Sequence, residues 1–374
     1  MNRPAFARLF FWLALGLFIG CVGLSMTCLR GGSESESAST SGSTPSSSVW
    51  PKDAGRSDQA VPFAKHLAGM RICLDPGHGG DANRPNYKRG PTGLREAEVN
   101  LRVALVLREM LRANGAIVFM TRENDRALAD DNAEDLQRRA EVANRNNCDL
   151  FLSIHHNASD RPTANFVSVW YHDDVDHSPA SLDVAREVSA ALMAELRLPD
   201  QLGVPILSDK LIYDSGFRVL QQARVPAILT EASFHSNLEE EERLRDPEYN
   251  RREARAIFTG LAHYALGGVP RIRLISPANG RVSASSASQV VIELDDGLRS
   301  RKSWSWERRM ILRDSIIVRV GNEPWPFNYD EKTDRVTLSL PSDCKPGVLE
   351  LNVQFENMFK HSNTQPRLTL QVGR

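Results

Sequence analysis

Two short stretches, Leu74-Asp75-Pro76-Gly77-His78-Gly79-Gly80 and Ser153-Ile154-His155-His156-Asn157-Ala158, each set a histidine just past an apolar run. Runs of that length read as buried parallel strands, and an open α/β sheet gathers its ligands at the carboxyl ends of such strands. Two histidines delivered to one edge are the start of a metal site. A zinc hydrolase needs three protein ligands and one open position for water. The third ligand must then come from another strand end or a helix start. Glu96 stands at the start of the first long helix, after the Gly- and Pro-bearing loop 79–93, where a loop folding back from His78 brings its carboxylate beside the imidazole. A second acid, Glu231, follows the apolar run 227–229. All four residues are expected on one rim.

The elements that must position them alternate between strand and helix from about residue 70 to residue 268. Strands are expected at 71–74, 116–120, 150–154, 166–171 and 227–229, and helices at 96–114, 136–144, 179–196 and 247–266. The first helix carries Val99, Val103, Val106, Leu107, Met110 and Leu111 on one face and is closed by Gly115. Asp246-Pro247 opens the last one, with the aspartate as cap and the proline in the first turn. This order implies an α/β fold, a mostly parallel sheet with helices on both faces. From Val269-Pro270 onward the pattern changes to short β-type runs separated by Asn279-Gly280, Asp296-Gly297 and Lys345-Pro346-Gly347, which implies a C-terminal all-β, sandwich-like domain.

Six stretches carry a family resemblance: DPGHGG at 75–80, GLREAEVNL at 93–101, MTRENDRAL at 120–128, DLQRRAEVAN at 135–144, DLFLSIHHNA at 149–158 and VPAILTEASFHSN at 225–237. In this order, over residues 71–265, the chain resembles the zinc-dependent N-acetylmuramoyl-L-alanine amidases of bacterial cell walls, amidase type 3. The resemblance implies one Zn²⁺ held by His78, Glu96 and His155, with Glu231 as the catalytic acid/base. It also implies the substrate, the peptidoglycan amide between the lactyl group of N-acetylmuramic acid and the first L-alanine of the stem peptide. Ala97 replaces the lysine usual after the glutamate, and His156 occupies a position usually held by a small residue. His156 reads as a bystander imidazole on the rim, and Asn157 as a residue that orients substrate or caps a turn. The loop 81–92 is longer than usual and is expected to shape the substrate groove. Thr121-Arg122 and Arg138-Arg139 read as fold-holding ion pairs, and the run Glu239–Glu242 as a solvated helix face.

Composition bounds the rest. A chain of 374 residues is expected to hold more than one domain. With 46 basic against 47 acidic residues and a net charge of −1, no global field attracts nucleic acid, and Arg299-Ser300-Arg301-Lys302 reads as solvated surface. Five cysteines without a Cys-x-x-Cys pair exclude a disulfide scaffold; Cys73 and Cys148 read as core. Arg3 and Arg8 precede an apolar run over 9–29, long enough to span a bilayer. Residues 1–30 therefore read as a membrane anchor, with a cleaved export signal or a lipoprotein signal at Cys21 as alternatives. Nine serines in 31–50 make 31–66 a tether. Residues 67–268 then form the catalytic domain and 269–374 an immunoglobulin-like accessory domain, exported to the periplasm or cell envelope and open to a protein regulator. Trp304, Trp306 and Trp325 are candidates for a glycan-stacking surface or for sandwich core. Two other readings stand beside the amidase: a wall-binding scaffold on a catalytically weak amidase fold, and a zinc peptidase acting on another amide.

Overall fold

A computed structural model describes residues 60–373 apart from 84–86, 175–177, 201, 286, 299–309 and 342–343. The apolar run 9–29, residues 31–59 of the serine-rich tether, the basic cluster at 299–302, Trp304 and Trp306 lie outside the described residues, whereas the tether's last residues are described and Ala64 is buried. Among the described residues no helix is long and apolar enough to cross a membrane.

The elements that position the site follow in the order β1 (Arg71–Pro76), α1 (Glu96–Ala113), β2 (Ile117–Met120), α2 (Asn132–Arg145), β3 (Leu150–Asn157), β4 (Ser168–Tyr171), α3 (Ala180–Leu196), β5 (Ile206–Ser208), α4 (Arg218–Gln221), β6 (Ala227–Phe234), α5 (Leu238–Arg245) and α6 (Pro247–Leu266). They build a six-stranded sheet in the order β2-β1-β3-β6-β4-β5. β2, β1, β3 and β6 are mutually parallel, while β4 pairs antiparallel to β6 and carries β5 with it. The mostly parallel sheet expected from the alternation is the one observed.

Because strand side chains alternate between faces, β1 and β3 each serve two cores. Cys73, Phe151 and Leu229 pack with Ala143 of α2 and with Val219 and Leu220 of α4 on one face, which also takes in Cys148. Ile72, Leu74, Leu150 and Leu152, fully buried as well, alternate with them and face the side of α1, α3 and α6. Gly260 lets α6 approach α3 closely, since a Cβ there would lie 2.6 Å from the Val188 Cα. α2 begins four residues before the apolar periodicity does, because the Asp131 side chain caps it by accepting from the Glu134 amide. Asp246 caps α6 in the same way, with Pro247 at its first position.

The turn after β1 is held from beneath. Asp75, 1% exposed, accepts from Thr121 Oγ1 at 2.6 Å, Ser153 Oγ at 2.7 Å and Arg139 Nη1 at 2.9 Å. Arg139 also donates to the carbonyls of Pro76 and His78, and Arg122 to those of Pro76, Gly77 and Ala97. Both guanidiniums are buried, as is Asp75; Arg139 makes the ion pairs that the sequence suggested, whereas Arg122 bonds to carbonyls instead.

Residues 271–373 form two facing antiparallel-rich sheets. Val290, Ile292, Val336 and Leu338 from one interleave with Val318, Leu351, Val353 and Leu370 from the other, and Trp325 packs at the edge of this core. Strands at Arg281–Ser283, Glu323–Pro324 and Asn328–Asp330 are too short for alternation to announce them. Arg271 fastens the sandwich to the α/β part through Asp149 at 2.8 Å, and Asp183 accepts from the Ser362 amide at 2.7 Å.

Replacing Arg139 with alanine strips the buried Asp75 and Asp135 of their shared cation, which costs about 3–5 kcal/mol. Denaturant melts should show that loss, whereas Arg138→Ala, on the exposed Arg138–Glu134 pair, should cost under about 1 kcal/mol.

Candidate active site

The parallel strands β1, β3 and β6 end on one rim, and the four residues singled out in the sequence meet there. His78 lies two residues beyond β1, Glu96 is the first residue of α1, and His155 and Glu231 are register partners on β3 and β6. His78 Nε2 stands 3.0 Å from Glu96 Oε2, and His155 Nδ1 stands 2.9 Å from Glu96 Oε1. One donor atom from each of His78, Glu96 and His155 lies within 4.8 Å of the other two. The close approach depends on Gly77, where a Cβ would fall 2.1 Å from the His155 ring. His78 itself sits at φ +60, a conformation disfavoured for a side chain with Cβ, and the Arg139 bond to its carbonyl helps hold it there.

Two expected placements are corrected. His155 lies inside β3 and Glu231 inside β6, not just past them, because the β3–β6 ladder continues through the His155–Glu231 pair and β4 pairs with β6 opposite Glu231. A strand interior accepts these polar residues because they fall at the open rim.

Burial raises the carboxyl pKa of Glu96, but the His78 and His155 imidazoles outweigh it and hold Glu96 well below its ordinary range. Burial lowers His155, against the pull of Glu96. Glu231 goes the other way: burial, reinforced by the nearby Glu96 carboxylate, pushes it well above the ordinary value, with Lys88 opposing. Its Oε2 is buried with no hydrogen-bond partner. The proton affinities of two carboxyl groups on one rim are thus driven apart, one downward and one upward.

The surrounding shell differs from the sequence reading in three places. His156 is not a rim bystander. Its ring is buried in the opposite direction from His155, with Nδ1 2.8 Å from Asn100 Oδ1 and Nε2 2.9 Å from Glu253 Oε2. Burial lowers its pKa, but Glu253, Glu96 and Glu240 together raise it above the ordinary value. The run Glu239–Glu242 is not a solvated face either: Glu240 and Glu241 are fully buried. Glu241 accepts from the amides of Thr92 and Leu94, fixing the approach to Glu96, and Glu240 accepts from Tyr249, Asn165 and Arg243. Glu253 and Asn100 escaped the sequence reading altogether; Asn100 lies one helical turn after Glu96, a spacing that would have exposed it. Asn157 ends β3, its Oδ1 accepting from the amide of the next residue, Ala158. Of loop 81–92, Asp81 and the neighbouring Asp125 both pair with Arg95, at 2.8 and 2.7 Å.

A family model described as N-acetylmuramoyl-L-alanine amidase matches residues 72–263, the stretch that contains this rim and all four residues. The chain belongs to that amidase family. Among curated relatives of this amidase-family chain, the germination-specific N-acetylmuramoyl-L-alanine amidase of Bacillus subtilis is 31% identical over 215 residues, 55% of this chain and 84% of the relative. N-acetylmuramoyl-L-alanine amidase LytC of the same organism is 31% identical over 198 residues, 53% of this chain but 36% of the relative. The chain thus spans about a third of the length of LytC. The solved structure of N-acetylmuramoyl-L-alanine amidase AmiC2 of Nostoc punctiforme is 29% identical, covers 53% of this chain and 98% of its own, and aligns with a TM-score of 0.44.

A carboxyl group with a raised folded-state pKa favours folding below its unfolded value, about 4.3, and that contribution is lost as pH rises through the folded value. Glu231→Gln does not titrate. In chelator-treated protein it should melt above wild type at pH 7–8, by on the order of a few °C, and the gap should close toward pH 4. Thermal melts across that range would reveal an absent or reversed gap.

Proposed function

We propose that the chain is a zinc-dependent N-acetylmuramoyl-L-alanine amidase that hydrolyses the amide between the lactyl group of N-acetylmuramic acid and the L-alanine of the peptidoglycan stem. The observation that carries this reading is the convergence of His78, Glu96 and His155 beside a carboxyl group, Glu231, with a raised pKa and an unpartnered buried oxygen. Two imidazoles and one carboxylate are a donor set that suits zinc, and three ligands leave a position open for water.

His78, Glu96 and His155 would hold the ion, which supplies Lewis acidity toward the scissile carbonyl and lowers the pKa of water toward about 7. Glu96, as a ligand, is not free to carry the proton as well. Glu231 takes the proton from the attacking water and returns it to the departing alanine nitrogen. Its raised pKa suits that exchange, because a carboxyl group that is protonated only in strongly acid solution takes up a proton poorly near neutrality.

Residues 67–268 act as the catalytic domain and 269–374 as an accessory domain on this reading. The basic head and apolar run at 9–29 support export and tethering to the membrane, which places the catalysis at the cell envelope, where peptidoglycan is found. The names of the relatives, N-acetylmuramoyl-L-alanine amidases, support the same reading. A protein regulator is compatible with this arrangement.

Peptidoglycan digested with the purified chain should release free stem peptides beginning at L-alanine, detected by mass spectrometry, and chelation should abolish the release until zinc is restored. Bound zinc with intact glycan-linked stems would favour the scaffold reading, and cleavage elsewhere in the stem the peptidase reading. Glu231→Gln should remain folded and zinc-loaded while turnover falls about 10²–10⁴-fold; zinc loss or near-normal turnover would refute its assigned role.

A further inference from the structure

His156 follows His155 on β3, so its side chain points to the other face of the sheet, into the interior between α1 and α6. There it is 1% exposed and flanked by Asn100 and Glu253, both fully buried. Asn100 Nδ2 stands 3.3 Å from the Gly77 carbonyl and 3.3 Å from Glu96 Oε1, and Asn100 Oδ1 stands 2.8 Å from His156 Nδ1. Donor and acceptor capacities fix the direction of every bond in this chain. The Gly77 carbonyl only accepts, and so does the ionised Glu96 carboxylate, so the Asn100 amide must turn its NH₂ toward them. Its oxygen then faces His156, whose Nδ1 must carry a hydrogen. At the far end, Nε2 and Glu253 Oε2 share one hydrogen at 2.9 Å, and Glu253 Oε1 is buried with no hydrogen-bond partner. Glu253 therefore depends on His156 for compensation, and His156 depends on Glu253 to keep Nδ1 a donor. A flipped Asn100 would set oxygen against two oxygens and give up its bonds to Gly77, Glu96 and His156.

We infer that Glu253, His156 and Asn100 form a positioning relay that holds the Glu96 carboxylate, and the Gly77 carbonyl beside it, in place for the metal. This rests on the zinc-site reading above. None of the three touches the reacting atoms, so the relay acts on ligand geometry. Outer partners of this kind govern metal affinity by factors of about 10–100.

The test is zinc affinity by chelator competition, with the visible spectrum of the Co²⁺-substituted protein as a report on ligand geometry and a melt of the metal-free form as a check on folding. Asn100→Ala and His156→Ala should each weaken zinc binding about 10–100-fold and shift the Co²⁺ spectrum. The double variant should bind no more weakly than Asn100→Ala alone, since His156 acts through that amide. Should His156→Ala fail to fold with Glu253 left unpaired, Glu253→Gln takes its place in the same cycle. Wild-type affinity in Asn100→Ala, or costs that add in the double variant, would overturn the relay. A wild-type chain that binds no zinc overturns the metal-site reading itself, and is distinguished by needing no variant to see it.

Discussion

A chain that leaves a sheet through a left-handed turn carries carbonyl oxygens that no strand ladder can satisfy, and burying them requires donors from elsewhere. After β1 those oxygens belong to Pro76, Gly77 and His78, and the donors are the guanidiniums of Arg122 and Arg139. Two buried cations are themselves costly; Asp75 and Asp135 pair with Arg139, and Asp75, Asp125 and Asp81 favour the charge of Arg122 without pairing with it. The position of His78, the cradle around His155 and the entry to α1 all hang on this arrangement. The Arg122 bond to the Ala97 carbonyl even ties the first turn of α1, where Glu96 sits, to the same guanidinium that holds the Gly77 turn.

The rim brings opposite electrostatic demands within a few ångströms. Glu96 is surrounded by groups that favour its charge, and Glu231 by groups that disfavour it. Helix entry helps to separate them: Glu96 occupies a helix start, where the dipole favours an anion, whereas Glu231 occupies a strand and has no such field. The same backbone elements that place the two carboxyl groups also differentiate their proton affinities.

Much of this was legible in the chain. Apolar runs at 71–74 and 150–154 marked strands whose ends had to carry any site, and Asp246-Pro247 marked a helix start by local chemistry alone. What escaped was whatever depended on partners distant along the chain. A run of four glutamates looks solvated until the amides of Thr92 and Leu94 and the hydroxyl of Tyr249 supply donors for two of them. His156 looks like a rim residue until strand alternation turns it inward to meet Glu253, 97 positions away. β6 looks finished at Leu229 because its polar continuation is held by pairing on both sides, a fact of sheet topology rather than of composition.

His155 and Glu231 face one another across neighbouring parallel strands, so their separation is set by the interstrand spacing of about 4.8 Å and by register. That makes the sheet a ruler. Gaining or losing a single residue within β3 or β6 would turn one of the pair to the wrong face, so descent can vary these strands only by substitution. The segment between Gly80 and Glu96 obeys no such rule, because it is fastened at a few points and its length between them is free. Lengthening that loop would therefore leave the distance between His155 and Glu231 as the sheet sets it.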